Sequence, residues 1–175
     1  MIWGMGHRAE NLASWEDLAR TLGGSFVARV RGVVAPELVL LTEDDEPFGR
    51  LTAGEDGRTH LQAGDVMAWI EPRPGAAYGM TTGERETLTA EPAGSQTHLT
   101  LRSGGRRYEA SISLLRNRAT ATASDGGEAA RLSGGLTNRR YRATFDPLDP
   151  ASLPVAVFLL NHTVTLRRGA YRAGS

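Results

Sequence analysis

The pattern of hydrophobic and polar residues divides the chain into three stretches, and the first is short. Residues 1–13 show no regular period and are read as a loose lead-in. Ser14 can cap a short helix from Trp15 to Leu22, because a serine at a helix start accepts a hydrogen bond from the first turn. Gly23-Gly24 suits the left-handed position at which helices commonly end. Residues 1–24 are therefore predicted to be a lead-in followed by a short N-terminal helix.

The second stretch, residues 25–145, consists of short runs broken by turn residues, which is typical of strands and hairpins. Several of these runs alternate apolar and polar residues, which is the period of a half-buried strand. In the clearest hairpin, Leu99 and Leu101 share one face, Gly104-Gly105 suits a two-residue turn, and the alternation returns from Tyr108 to Leu114. A strand-plus-turn spacing of roughly 8–12 residues gives on the order of 10–15 strands. So many strands must close on themselves or split into two sheets, because open edges invite aggregation. Trp69, on an apolar run, is predicted to lie in the core.

The third stretch is a hydrophobic C-terminal helix. Asp149 suits the N-cap and Pro150 the first helical position, while Gly169 is expected to end the helix. Residues from Leu153 to Leu160 are almost wholly apolar, and a helix that is apolar on all sides is either buried or membrane-spanning. The run is about half of the roughly 17–25 residues that a span needs, so it is predicted to be a core helix.

Together these stretches predict a single soluble domain of the mainly β class. Its architecture is a closed antiparallel β-barrel of about a dozen strands around a buried hydrophobic C-terminal helix, preceded by the short N-terminal helix. The barrel with its central helix is assigned to residues 25–170.

The charge composition limits the partners of this domain. The chain has 20 cationic and 20 acidic residues, so no net field attracts nucleic acid or a membrane, and nucleic-acid binding is not expected. Lysine and cysteine are absent, which excludes disulfide, thiolate and lysine Schiff-base chemistry. An arginine-only chain rich in Ala and Gly is typical of GC-rich bacterial coding sequences. Attraction to anions would have to come from a local patch.

No motif brings catalytic side chains together. The four histidines, His7, His60, His98 and His162, lack the spacing of metal ligands. The chain contains no Gly-x-Ser-x-Gly elbow, and no Gly-x-Gly-x-x-Gly follows a strand and opens a helix. His162, on the apolar helix, is predicted to be a core-edge histidine satisfied by a backbone carbonyl. The sequence therefore predicts no enzyme activity, no metal and no cofactor.

Arginines are concentrated between residues 102 and 142, where the only acids are Glu109, Asp125 and Glu128. Alternation along the strands predicts that several of these arginines point outward, and adjacent hairpins could gather them into one basic face. Such a face would attract phosphates or anionic lipid head groups, since the planar guanidinium suits phosphate. The candidate ligand-binding residues are Arg107, Arg116, Arg118, Arg139, Arg140 and Arg142. The alternative is that they are ordinary solubilising charges.

The stretch from Gly134 to Asp146, GGLTNRRYRATFD, followed by the hydrophobic helix, resembles the end of the tubby C-terminal and phospholipid-scramblase-like superfamily, in particular its LURP-one-related branch. The resemblance covers residues 26–168 and implies a closed antiparallel barrel around a hydrophobic C-terminal helix. The tubby branch binds phosphoinositides through lysines and arginines, so the resemblance implies a binding function. No individual site residue is carried over, because this chain has no lysine.

The first functional hypothesis is accordingly a non-enzymatic module that docks on anionic membrane surfaces or phosphate-bearing ligands. It would be cytoplasmic and could associate peripherally with membranes. The alternative is a structural or protein-interaction domain without a small ligand, which could form a homodimer. A hollow barrel holding an apolar ligand is disfavoured, because the helix would fill its interior.

Overall fold

The strands follow one another around a closed antiparallel barrel in the computed structural model, which describes residues 14–32 and 37–173. Each strand of this described part pairs with the next, and the last pairs with the first through Phe26 opposite Ala143. The twelve strands are β1 Ser25–Arg31, β2 Glu37–Leu41, β3 Pro47–Ala53, β4 Thr59–Ala63, β5 Val66–Arg73, β6 Ala77–Thr82, β7 Arg85–Ser95, β8 His98–Ser103, β9 Arg106–Ser113, β10 Arg118–Ala123, β11 Glu128–Gly134 and β12 Arg140–Phe145. This confirms the predicted closed barrel of about a dozen strands.

The alternation of side chains gives each strand its inner face. On β10, Ala119, Ala121 and Ala123 are buried, while Thr120 and Thr122 lie on the outer side and are half-buried. The same period buries Tyr108, Ala110 and Ile112 on β9 and leaves the intervening residues outside. The prediction for Trp69 is wrong. Its neighbours Ala68 and Ile70 point inward, so the indole lies on the outer wall and is half-buried.

The C-terminal helix, α2 (Ser152–Ala173), occupies the interior of the barrel. Every residue from 151 to 160 is buried, and the helix lies closest to β10, β11 and β12, with further contacts on β7 and β8. The Asp149 carboxylate accepts a hydrogen bond from the Ala151 amide at 3.0 Å, so Asp149 caps the turn that leads into α2. The prediction that Gly169 ends the helix is wrong, since α2 continues to Ala173. An exposed glycine weakens a helix without breaking it.

The barrel has two different ends. At the entry end, where α2 begins, lie the β8–β9 turn and the β10–β11 turn (residues 124–127). Tyr108 donates a hydrogen bond to the buried carboxylate of Asp149 at 2.8 Å, and Arg106 pairs with the same carboxylate at 3.3 Å. Burial raises the pKa of Tyr108, and its hydrogen bond to Asp149 adds to that shift. These contacts fix the start of the helix inside the wall.

The N-terminal helix α1 also lies at the entry end. Residues 14–22 are helical and lead directly into β1 through Gly23 and Gly24. The predicted lead-in of residues 1–13 lies outside the described residues, and the capping role of Ser14 stays a prediction. Trp15 is fully buried, and its indole N–H donates to the Thr82 hydroxyl at 3.0 Å. The short helix therefore packs on the barrel.

Candidate functional site

Two neighbouring turns lie at the other end of the barrel, the exit end, where α2 leaves the interior. They are the β9–β10 turn (residues 114–117) and the β11–β12 turn (residues 135–139). Asn117 and Asn138 have left-handed backbones, with φ of 52° and 56°, a conformation that asparagine tolerates better than most residues. The Asn117 amide donates to the Gly135 carbonyl at 3.0 Å and to the Asn138 side-chain oxygen at 3.3 Å. The two turns are therefore bonded to each other through their asparagines.

A glycine allows this contact. The Gly134 amide donates to the Asn117 carbonyl at 2.8 Å, so the end of β11 lies directly beside the β9–β10 turn. A Cβ atom at Gly134 would overlap the side-chain amide of Asn117 and come within 2.7 Å of the Tyr141 ring. The absence of a side chain at Gly134 thus leaves the space that the Asn117 side chain fills.

The emerging helix is tied to both turns by one side chain. Arg167 of α2 donates from Nε to the Asn138 side-chain oxygen at 2.6 Å and from Nη1 to the Leu114 carbonyl. The helix end and the two turns therefore form one hydrogen-bonded unit.

Three of the predicted arginines flank this unit. Arg116 and Arg118 lie on either side of Asn117 in the chain, and Arg139 follows Asn138. All three are exposed, and none forms an ion pair with an acid among the described residues. We call Arg116, Arg118 and Arg139 the arginine rim.

The chain segments nearest the arginine rim contain no acid. The sequence contains no acid from residue 110 to residue 124 or from residue 129 to residue 145, and none from residue 152 to residue 175. Asp125 and Glu128 lie at the entry end of β10 and β11, and Glu128 is bonded to Arg131 at 2.7 Å. The exit end of this part of the wall is therefore locally cationic although the whole chain has no net charge.

Arg140 and Arg142 lie on the same outer wall and have acidic partners. Arg142 pairs with Glu43 at 3.0 Å, and Arg140 approaches Asp45 at 3.8 Å; both acids belong to the β2–β3 turn. Hydrogen bonds from Ser25 and then from Arg142 lower the pKa of Glu43, and the nearby positive charges of Arg142 and Arg140 lower it further. These two arginines therefore carry less uncompensated charge than the arginine rim.

The register places Arg118 and Arg142 in one row. Arg118 lies opposite Ser133 on β11, and Ser133 lies opposite Arg142 on β12. The structure thus brings five of the six predicted residues onto the outer wall and exit end of β10, β11 and β12. Arg107 is separate: it lies at the entry end and pairs with Glu109 at 2.8 Å.

Two leucines at the exit end were not singled out by the sequence pattern. Leu115 is 96% exposed in the β9–β10 turn, and Leu136 is 102% exposed in the β11–β12 turn. Each is therefore a fully exposed apolar side chain next to or near a rim arginine. The signal in the sequence was weak: Leu115 breaks the period of two set by Leu114, and Leu136 follows a glycine pair.

His162 lies where α2 approaches the exit end. Its Nε2 is 2.8 Å from the Gln96 carbonyl, and its ring stacks on Phe158 and meets the edge of Tyr78. This confirms the prediction of a core-edge histidine held by a backbone carbonyl. Burial lowers the pKa of His162, although the hydrogen bond to Gln96 acts in the opposite direction.

Across the described ranges, no cluster of three or more His, Asp or Glu side chains has an arrangement that could hold a metal ion. Over the same residues, no helix combines the length and the apolar character that crossing a bilayer requires.

The fold defines the class of this protein as a meander barrel closed around its own C-terminal helix. An X-ray structure of a protein from Arabidopsis thaliana is similar to it, with a TM-score of 0.55, 11% sequence identity, and coverage of 79% of this chain and 90% of the plant protein. At this identity the likeness concerns the fold. No protein-family model matches the sequence, and no curated protein matches it.

Proposed function

We propose that this protein is a non-enzymatic binding module that takes phosphate-bearing anions at the arginine rim. The observation that carries the proposal is the exposure of Arg116, Arg118 and Arg139 at one end of the barrel without ion-pair partners among the described acids. A guanidinium offers planar paired donors that match phosphate oxygens, and three such groups on two bonded turns can act on one anion.

The resemblance to the tubby and scramblase-like superfamily supports the same proposal. The Gly134 to Asp146 segment supplies the β11–β12 turn and β12, and a barrel around a terminal helix is the architecture implied by the tubby and scramblase-like superfamily. Phosphoinositide binding by the tubby branch supports a phosphate-bearing ligand here. The anion could be a lipid head group or a soluble phosphate ester, because both present the same oxygens.

A binding experiment with two ligand arms tests the proposal. The first arm measures sedimentation with vesicles of phosphatidylcholine mixed with phosphatidylserine or with phosphatidylinositol bisphosphate; the second titrates inositol hexakisphosphate by calorimetry. Each rim arginine near an anionic surface contributes about 1 kcal/mol, so R116E with R139E should reduce binding at least tenfold. Binding should also weaken as ionic strength rises toward about 0.15 M.

The matched control is R102E. Arg102 is exposed on β8 near the entry end and likewise forms no ion pair with a described acid, so its reversal changes the net charge as much as R116E or R139E does alone. R102E should bind like the wild type. Absence of wild-type binding in both arms, or an equal loss in R102E and the rim variant, would refute the proposal.

A second candidate, a protein-interaction module, is favoured by a different surface. Met67 is 62% exposed on the outer face of β5, beside the half-buried Trp69. If this face joins two copies, the apparent mass in solution should rise with concentration, and M67E should abolish the rise. A mass that stays monomeric over the same concentrations would remove this candidate.

A further inference from the structure

We propose that the exit end docks on a bilayer containing anionic lipids, with Leu115 and Leu136 inserted at the boundary between head groups and acyl chains. This inference rests on the proposed function and names the source of the phosphate: a lipid head group held in a membrane rather than a soluble ester. It also fixes the orientation, with the exit end of the barrel toward the lipid.

The exposed leucines are the first observation. A single exposed leucine is ordinary on a protein surface, and it needs no explanation. Here two leucines, each more than nine-tenths exposed, occupy two turns that are hydrogen-bonded to each other through Asn117 and Asn138. They belong to one structural unit and can enter one apolar phase together.

The position of the charges is the second observation. Leu115 is followed directly by Arg116, and Leu136 is three residues before Arg139, with no acid in either turn or in the neighbouring stretches of β10, β11 and β12. Apolar side chains at a tip with cations around it are complementary to an anionic bilayer, which presents negative head groups above an apolar interior. A soluble phosphate would satisfy the arginines and leave the leucines in water.

The rigidity of the tips is the third observation. Asn117 is buried, its side chain fills the space left by Gly134, and Arg167 binds the Leu114 carbonyl and Asn138. The tips are therefore held in place before they meet a membrane, and little conformational freedom remains to be lost on binding. Insertion to a depth of about 5–10 Å is typical of peripheral proteins and needs no helix across the bilayer.

The test compares leucines at the two ends of the barrel. L115S with L136S removes both apolar tips, and L148S is the control that removes one leucine elsewhere, because Leu148 is 90% exposed at the entry end. Burial of one leucine side chain changes a binding constant by about tenfold or more. The double variant should therefore bind anionic vesicles at least tenfold more weakly. L148S should bind like the wild type, and all three proteins should bind inositol hexakisphosphate equally.

A spectroscopic measurement gives the orientation directly. The chain has no cysteine, so L136C and L148C can each carry one solvent-sensitive fluorophore at a single position. On anionic vesicles, the label at residue 136 should shift its emission to shorter wavelength and be quenched by a quencher attached to the acyl chains. The label at residue 148 should show the same emission with vesicles as it does in water without them.

The outcomes separate this inference from the proposed function. Loss of vesicle binding in the rim variant with unchanged binding in L115S/L136S would keep head-group recognition and refute insertion. Binding of inositol hexakisphosphate without binding of vesicles would refute the membrane assignment and keep the phosphate site. Equal emission shifts at residues 136 and 148 would refute the end-on orientation.

Discussion

At the scale of single residues, His162 shows how burial makes stability depend on pH. Its ring is enclosed by Phe158 and Tyr78, and its Nε2 contacts the Gln96 carbonyl, so the neutral form is favoured in the folded protein. The pKa in the folded state is therefore lower than the value of about 6.5 in the unfolded chain. The unfolded state then binds the proton more readily, and protonation favours unfolding.

The expected result is a stability that is complete above pH 6.5 and declines as the pH falls through the lowered pKa. H162Q keeps a donor for the Gln96 carbonyl and removes the titration. Denaturant unfolding at about pH 7.5 and about pH 5.5 should show a smaller acid-induced loss in H162Q than in the wild type. Equal losses in the two proteins would contradict the assignment, since the exposed His60 and His98 are present in both.

At the scale of elements, two glycines are expected to respond oppositely to alanine. Gly169 lies inside α2 with open space around its missing side chain, so G169A should raise the free energy of unfolding by about 0.5–1 kcal/mol. Gly134 lies under Asn117 and beside Tyr141, so G134A should lower it by about 1–3 kcal/mol through overpacking. Equilibrium denaturation measures both. A loss of stability in G169A would mean that the helix ends at this residue, as the sequence first suggested.

The elements also show which features of the fold the sequence alone predicts. Alternation on β9 and β10 predicts strands, because burial of one face of a sheet requires an apolar residue at every second position. The apolar run of α2 predicts a core helix. The partners of surface arginines are a different matter. Arg142 meets Glu43 across 99 residues only because β12 closes the barrel against β1, and no local pattern encodes that register. For the same reason the sequence grouped Arg107 with arginines that lie at the other end of the barrel.

At the scale of the whole molecule, the two ends of the barrel have different surfaces. The entry end is closed by the fully buried Trp15 and by the Tyr108–Asp149 hydrogen bond. The exit end carries the exposed leucines and the arginine rim. A chain without net charge can therefore present a cationic surface at this part of the exit end, because the acids next to β10, β11 and β12 lie at the entry end.

The enclosure of α2 predicts how the molecule unfolds. The helix directly follows β12, and β12 closes the barrel against β1, so paired strands enclose α2. The amides from Val155 to Leu160 should therefore exchange with solvent only through global unfolding. The free energy of opening that hydrogen exchange gives for these amides should equal that of inward-facing β9 residues such as Ala110. Both should equal the free energy of unfolding measured with denaturant.

The exposed part of the same helix supplies the internal comparison. Residues 165–169 lie toward the exit end and are exposed or half-buried, so their amides should exchange through smaller openings and at a lower free energy. Exchange of Val155 to Leu160 at that lower free energy would mean that the helix leaves a barrel that stays closed. The strands would then have to hold together around an empty apolar interior. Such a cavity is costly because the groups lining it lose their packing contacts, and for that reason we expect helix and barrel to unfold together.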